Sequence, residues 1–310
     1  MLKYLSQLLT LVLFFRHSSA LSGRHLRVIG GTPASVEDKK KGAFSSYVLF
    51  IKGDQICGGT LVAENIVLTA AHCVYDSSDE PGADRQLLDT TGMLVAKGSK
   101  LKLNDDNGLT VENADGTASV MKLVPHPNYV NNGVDILNDI AVLVLNGTLP
   151  GPTAKLAKPG ASQKVPDGAE MTVVGFGYNN RFPLKPEGKN DYIPYFSSTL
   201  FELPLSLGQI SEEPCDFPGL NNKKQLCLFG KKGTVAFPNS DDELEQVVAF
   251  QSSCQGDSGG PLYYKGVQYG LVSFGRGLCG KFRAKESVFT KVSAYRKSFI
   301  DPIVKKYGKK

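Results

Sequence analysis

Short apolar runs recur along the chain and constrain its fold more than any other feature of the sequence. They are rich in β-branched and aromatic residues and are separated by clusters of Gly, Pro, Asn and Asp. Clear examples are 47–51, 66–69, 141–145, 171–174, 267–274 and 288–292. Strands have this length and composition, and no long helical pattern alternates with these runs. The pattern therefore predicts an all-β barrel or sandwich.

Two kinds of segment depart from this pattern. Apolar side chains between Val292 and Val304 recur at near-helical intervals, which predicts a terminal amphipathic helix over 292–306. Pro302 falls inside it, and a proline either kinks a helix or marks its end. The stretches 76–116 and 179–191 are rich in charged and turn-forming residues. We interpret both stretches as surface loops or insertions.

The first 20 residues have the pattern of a secretory signal peptide. Lys3 supplies the positive start, Leu8–Phe15 is the apolar centre, and Ser18–Ala20 offers small residues for cleavage. The junction between Arg27 and Val28 is then either a plain loop or a second cleavage site. No apolar run reaches the roughly 18 residues that span a bilayer, so no membrane-spanning segment is predicted.

The net charge depends strongly on these N-terminal residues. The chain of 310 residues carries a formal charge of +5, a mild basic balance that weakly favours anionic partners. Residues 1–27 contain Lys3, Arg16, Arg24 and Arg27 but no acidic side chain, so their removal leaves +1. We therefore expect neither nucleic acid nor a membrane as a partner.

The cysteines of a secreted chain predict disulfide bonds rather than a metal site. They are Cys57, Cys73, Cys215, Cys227, Cys254 and Cys279. Six cysteines allow 15 pairings in principle. The chain has no C-x-x-C pair and only two histidines after Arg27, so no metal or other cofactor is expected. Asn146–Thr148 is an N-x-T glycosylation acceptor.

A glycine-rich segment at Gly256–Pro261 contains a candidate nucleophile. Ser258 lies between glycines that leave it little covered and let the backbone turn sharply. Neighbouring backbone amides at such a turn can point at a developing negative charge, as an oxyanion hole requires. The alternative is an ordinary glycine-rich turn.

A serine nucleophile needs a base, and the chain after Arg27 offers only His72 and His126. An imidazole suits this role because its pKa lies near neutral pH. His72 follows an apolar strand and precedes Cys73, which could anchor it, whereas His126 lies between two prolines. We therefore favour His72.

The third member of such a site is a carboxylate that orients the imidazole. Asp139 stands immediately before the apolar run 140–145, where an acid is costly unless it has a partner. Asp135 has a similar local sequence and is the competing candidate. We favour Asp139 because the run that follows it is more apolar.

These motifs together resemble those of the chymotrypsin/trypsin-type serine proteases. The matching segments are Val28–Gly31, Cys57–Leu61, Thr69–Cys73, Asp139–Ala141 and Gly256–Pro261, in the family's order. The resemblance covers nearly the whole chain after Arg27. It implies two six-stranded antiparallel β-barrels with a C-terminal helix, and an active site between the barrels.

The resemblance also implies the chemistry and its residues. Ser258 would be the nucleophile, His72 the general base and acid, and Asp139 the orienting carboxylate. The amides of Gly256 and Ser258 would form the oxyanion hole. The reaction would be hydrolysis of peptide bonds through an acyl-enzyme. The implied disulfides are Cys57–Cys73, Cys215–Cys227 and Cys254–Cys279.

Activation by cleavage is a further implication of the resemblance. Residues 1–20 would be the signal peptide, 21–27 an activation propeptide, and 28–310 the protease domain. Cleavage after Arg27 would free the Val28 amine to pair with Asp257. We expect a secreted, extracellular monomer whose partners are protein or peptide substrates, an activating protease and protein inhibitors.

The pocket that would select the substrate is assigned by the same resemblance. Ser252 would form its floor and supplies no charge. Ser273, Phe274 and Gly275 would line one side, and Ser287 the other, with Glu286 as the competing residue there. We expect a neutral, apolar or small side chain before the scissile bond. The alternative function is a protease-like binding or inhibitor protein with weak or no activity.

Overall fold

The computed structural model describes residues 31–34, 42–53, 55–76, 85–98, 100–103, 109–112, 114–133, 135–177, 200–207, 215, 217, 219–238, 244–275 and 286–309. Most of these residues form strands. In chain order the strands are β1 (Thr32–Pro33), β2 (Tyr47–Lys52), β3 (Gln55–Ala63), β4 (Ile66–Thr69), β5 (Leu94–Lys97), β6 (Lys100–Leu103), β7 (Leu109–Glu112), β8 (Gly116–Pro125), β9 (Val130–Asn131), β10 (Ile136–Leu137), β11 (Ala141–Leu145), β12 (Glu170–Gly175), β13 (Phe201–Leu207), β14 (Gln225–Phe229), β15 (Lys232–Pro238), β16 (Leu244–Phe250), β17 (Pro261–Tyr264), β18 (Val267–Gly275) and β19 (Glu286–Lys291).

The first barrel closes through the antiparallel order β11-β4-β3-β2-β5-β8, with β8 pairing back to β11. Its core includes the fully buried Val48, Phe50, Leu61 and Leu143. Val48, Phe50 and Leu143 come from the apolar runs 47–51 and 141–145, and inward-facing side chains of this kind fill a small closed barrel. The barrel therefore holds β4 and β11 side by side, and each of them leads to one candidate site residue.

The second barrel contains β13, β12, β17, β18, β19 and β14 in that order, and pairing of β13 with β14 closes it. Phe201, Leu203, Leu262 and Phe289 fill its interior. Together the barrels confirm the predicted fold of two six-stranded antiparallel β-barrels.

The two barrels pack against each other through a separate apolar cluster. Tyr47 and Leu49 of the first barrel contact Val174, Phe176 and Tyr263 of the second within this cluster. The chain between the barrels, 146–169, runs from β11 to β12. This packing fixes how loops from the two barrels face each other.

A helical segment ends the chain, as predicted. It consists of α-helix at Val292–Tyr295, a π-helical turn at Arg296–Ile300 and α-helix at Asp301–Tyr307. Pro302 therefore does not end the helix. Pro302 lies in the first turn of the last α-helical segment, directly after the widened π turn. The N–H donor that proline lacks is not needed at that position.

One prediction about loops was wrong. The stretch 76–116, interpreted as a surface loop or insertion, contains β5 of the first barrel and the separate hairpin of β6 and β7. Val95 and Ala96 of β5 are fully buried in the first barrel. The apolar run here is only four residues long, 93–96, and lies between Gly92 and Lys97, so the sequence did not mark it as a strand. The second stretch, 179–191, lies outside the described residues. No helix of the described residues is long and apolar enough to cross a bilayer.

Candidate active site

His72 and Asp139 lie in direct contact although 67 residues separate them. His72 belongs to the 3₁₀ turn Ala71–Val74 that follows β4, and Asp139 precedes β11. Because β4 pairs with β11, the ends of these strands meet. The His72 Nδ1 lies 2.8 Å from Asp139 Oδ2, and the His72 backbone N–H donates to Asp139 Oδ1 at 2.9 Å. Asp139 therefore holds both the ring and the backbone of His72.

The electrostatics of this pair favour the ionised carboxylate and a basic imidazole. Burial lowers the pKa of His72, but the charge and hydrogen bond of Asp139 more than offset it, so the pKa is raised. Burial raises the pKa of Asp139, yet His72 and the Ser273 hydroxyl outweigh that effect and lower it. The contact at Nδ1 leaves Nε2 as the nitrogen that can exchange a proton with a partner.

The loop that carries Ser258 is docked onto the strand next to His72. The Gly58 N–H donates to the Ser258 carbonyl at 2.7 Å. Gly259 has a φ of +74°, and a Cβ there would overlap Thr69 Oγ1 and the Gly58 carbonyl. Only glycine allows this close approach, so the glycine-rich motif places the loop of half-exposed Ser258 beside Thr69 and Ala70.

The backbone amides of Gly256 and Ser258 are the donors expected at an oxyanion hole. Gly256 has a φ of +89°. Within the described part of the chain, neither N–H donates to another backbone group. An oxyanion hole requires two backbone donors that are not used elsewhere in the backbone.

Asp257 is completely buried behind the same loop. Its Oδ1 accepts the Gly177 N–H and its Oδ2 accepts the Cys254 N–H, both at 2.8 Å. A Cβ on Gly175 or Gly177 would overlap the carboxylate. Burial raises the pKa of Asp257 to about 7, although the two amides lower it. Among the described residues no cation pairs with it, and Val28, its expected partner, lies outside them along with Arg27.

A second layer of contacts fixes the turn before β11. Ser273 Oγ donates to Asp139 Oδ2 at 2.6 Å, and Thr290 Oγ1 donates to the Asp139 carbonyl at 2.8 Å. The second barrel thus holds the acid that the first barrel supplies.

Asn138 adopts the left-handed region, with a φ of +54°, and its amide is also held. Its Oδ1 accepts from Lys224 Nζ at 2.7 Å and from the Tyr295 hydroxyl at 3.1 Å, and its Nδ2 donates to the Asn128 carbonyl at 2.5 Å. An ammonium only donates and a carbonyl only accepts, so these partners define the amide orientation. Sequence reasoning missed these contacts, because no local pattern shows that Lys224, Tyr295 and Thr290 reach the segment Asn138–Asp139 from distant parts of the chain.

The five residues expected at the substrate pocket fall in one region. Ser252 is buried, and Ser273, Phe274 and Gly275 end β18, where Gly275 pairs with Ser287. Ser287 Oγ lies 3.1 Å from the Ser253 Oγ. Successive side chains of a strand point to opposite faces, so Glu286, the competing residue, faces away from Ser253.

The remaining sequence candidates are placed as follows. Disulfides join Cys57 to Cys73 and Cys215 to Cys227, and Cys254 is also disulfide-bonded. Cys279, its expected partner, lies outside the described residues. His126 packs against the rings of Tyr295 and Phe299 rather than against Asp139.

Known proteins match most of the chain in sequence and in fold. A family model described as Trypsin matches residues 29–202 and 232–299. Granzyme-like protein 1 of Rattus norvegicus is 30% identical over 305 residues, covering 96% of this chain and 98% of its own. Chymase of Macaca fascicularis is 30% identical over 292 residues, covering 93% and 94%. The structure of neuropsin, a serine protease expressed in the limbic system of mouse brain, superimposes with a TM-score of 0.56 at 22% identity. This superposition covers 89% of this chain and 97% of the neuropsin chain.

Proposed function

The chain belongs to the trypsin family of serine endopeptidases, and we propose that it is a secreted, monomeric endopeptidase made as an inactive precursor. Its catalytic residues would be Ser258, His72 and Asp139. The observation that carries this proposal is the His72–Asp139 pair, joined at 2.8 Å beside the docked Ser258 loop. Its substrates are proteins or peptides. The disulfides support secretion, since disulfides persist in oxidising compartments.

In the proposed reaction, Ser258 Oγ attacks the scissile carbonyl carbon while His72 Nε2 takes the serine proton. Asp139 keeps the other ring nitrogen protonated and stabilises the imidazolium. The oxyanion is received by the amides of Gly256 and Ser258. His72 then gives its proton to the leaving amine, which leaves an acyl-Ser258. Water, deprotonated by His72, releases the acid product and restores the hydroxyl.

Activation is proposed to follow cleavage after Arg27, which would remove residues 21–27 once the signal peptide 1–20 is gone. The Val28 ammonium would then pair with Asp257. Support comes from the burial of this carboxylate and from its raised pKa of about 7. A buried acid without a cation is costly, and a partner would hold the oxyanion loop in place.

We propose that the pocket accepts a neutral side chain that is small or apolar. Ser252 at the floor brings no charge, and Ser287 opposite Gly275 narrows the space. Glu286, which faces the other side of β19, would not favour basic side chains there.

The test is digestion of a mixed peptide library by the cleaved protein, with the residue before each cut identified by mass spectrometry. Cuts after neutral side chains are expected from the wild type. The variant Ser252→Asp should shift cleavage towards Lys and Arg, because a buried carboxylate at the floor attracts a cation. Ser119→Asp, an exposed change on β8, is the matched control. Cuts after Lys and Arg by the wild type would refute the assignment of the pocket.

The contacts of Asn138 give a separate prediction about Asp139. Lys224→Met should lower kcat by about tenfold with little change in KM, because loss of a charge-assisted hydrogen bond loosens the turn that aims the acid. Lys224→Arg should recover part of the loss. Lys223→Met removes the same charge from an exposed neighbour and should have no effect. The measurements are steady-state kinetics across pH and the melting temperature. A Lys224→Met protein whose melting temperature changes while its kcat does not would disprove this role.

A further inference from the structure

A short return segment runs beside the turn that carries His72. Leu88 N–H donates to the Val74 carbonyl at 2.9 Å, and Asp76 N–H donates to the Gln86 carbonyl at 3.0 Å. Tyr75 and Leu87 form an antiparallel bridge between them. The segment 85–88 is therefore fixed to the first residues after the His72 turn.

The direction of Arg85 follows from this pairing. Bridged residues share one face of an antiparallel pair, and residues two apart on an extended segment do so as well. Arg85 therefore lies on the same face as Leu87 and Tyr75. The Tyr75 ring contacts the Tyr129 ring, with centroids 5.4 Å apart. Arg85 thus lies on the face that carries the Tyr75–Tyr129 contact.

The charges around Arg85 agree with this position. Burial and the Arg85 charge lower the pKa of His72, whereas Asp139 raises it. Burial and Asp139 raise the pKa of Tyr129, and Arg85 opposes them. One cation thus acts on both rings. No ion pair or hydrogen bond within the described ranges involves the side chain of half-buried Arg85.

We propose that Arg85 forms a subsite for an acidic substrate side chain next to the scissile bond, on the His72 side of the cleft. A half-buried guanidinium without a partner among the described residues offers a fork of donors that fits a carboxylate. The chemistry selected is a Glu or Asp side chain that immediately precedes or follows the residue in the main pocket. This inference rests on the proposed function, since it places the subsite beside the reacting bond.

The test uses quenched fluorescent peptides that differ only at one position. Each carries Glu or the isosteric Gln, either one residue before the residue in the main pocket or one residue after the scissile bond. Cleaved wild type should prefer Glu by about fivefold in kcat/KM at one of these positions, as expected for a partly exposed ion pair. The position that shows the preference tells which neighbour Arg85 contacts. The preference should weaken at high salt.

Arg85→Gln should remove the preference, and Arg85→Lys should retain part of it. Loss of the cation should also raise the pKa of His72, which must be neutral to act as base. The acidic limb of the pH–rate profile should therefore move to higher pH. Lys122→Gln, which removes an exposed charge beside Tyr307, is the matched control and should change neither result.

Equal Glu and Gln rates in the wild type would overturn the proposal, and so would a preference that survives Arg85→Gln. An acidic limb that does not move in Arg85→Gln would overturn the placement of Arg85 beside His72. Failure of the cleaved wild type to hydrolyse any peptide would instead overturn the proposed function.

Discussion

Replacing Ser258 with alanine is expected to reduce kcat for peptide hydrolysis by about 10⁶, because no acyl-enzyme can form without the hydroxyl. Removing the base by His72→Ala should cost about as much. The double variant should lose little more than either single variant, since the two side chains act as one unit. The measurement is initial rates on a fluorogenic peptide with cleaved, purified protein.

Matched controls separate this loss from damage to the fold. Ser119→Ala removes an exposed hydroxyl on β8, and His126→Gln removes the other histidine that follows Arg27. Both variants should retain activity within a few fold. A Ser258→Ala protein that still hydrolyses the peptide at the wild-type rate would refute the role of Ser258.

Blocking the activating cleavage is the second change with a large expected effect. The Arg27→Gln protein should be secreted and folded but roughly 10³-fold less active, because Asp257 keeps its buried charge unpaired and the oxyanion loop loses its support. The raised pKa of Asp257, about 7, reflects that burial. Activity of the secreted protein is measured after incubation with trypsin, which should activate wild type only.

A rescue variant makes this result specific to the new amino terminus. Replacing residues 21–27 by an enteropeptidase recognition sequence would allow Val28 to be freed by that enzyme alone. Activity should appear on enteropeptidase treatment, with Val28 found by N-terminal sequencing. Full activity of uncut Arg27→Gln would contradict the activation mechanism.

Local sequence predicted those parts of the molecule that local patterns encode. The apolar runs 47–51 and 141–145 form strands as expected, because each carries the β-branched and apolar composition that a buried strand needs. The strand β5 escaped detection, since four residues set among polar neighbours give no clear period.

Contacts between distant segments that no motif marks were beyond the reach of sequence reasoning. The sequence offered Glu286 and Ser287 as alternatives for one pocket wall. Pairing of Ser287 with Gly275, and the contact of its hydroxyl with Ser253, place Ser287 beside the residues proposed for the pocket. In the same way, Lys224 reaches Asn138 across 86 positions of the chain, and the segment that follows Arg85 pairs through its backbone with the residues after His72. Such contacts depend on how the two barrels and their loops pack, which a single sequence does not display.

The most direct test of the proposed catalytic site is covalent labelling with a fluorophosphonate. In this reaction the serine oxygen forms a bond to phosphorus and fluoride leaves, so the label reports an activated serine. Mass spectrometry of the cleaved wild type should find one adduct, on Ser258, and none on His72→Ala. An unlabelled cleaved protein, or an adduct on another residue, would contradict the assignment and favour a protease-like binding protein.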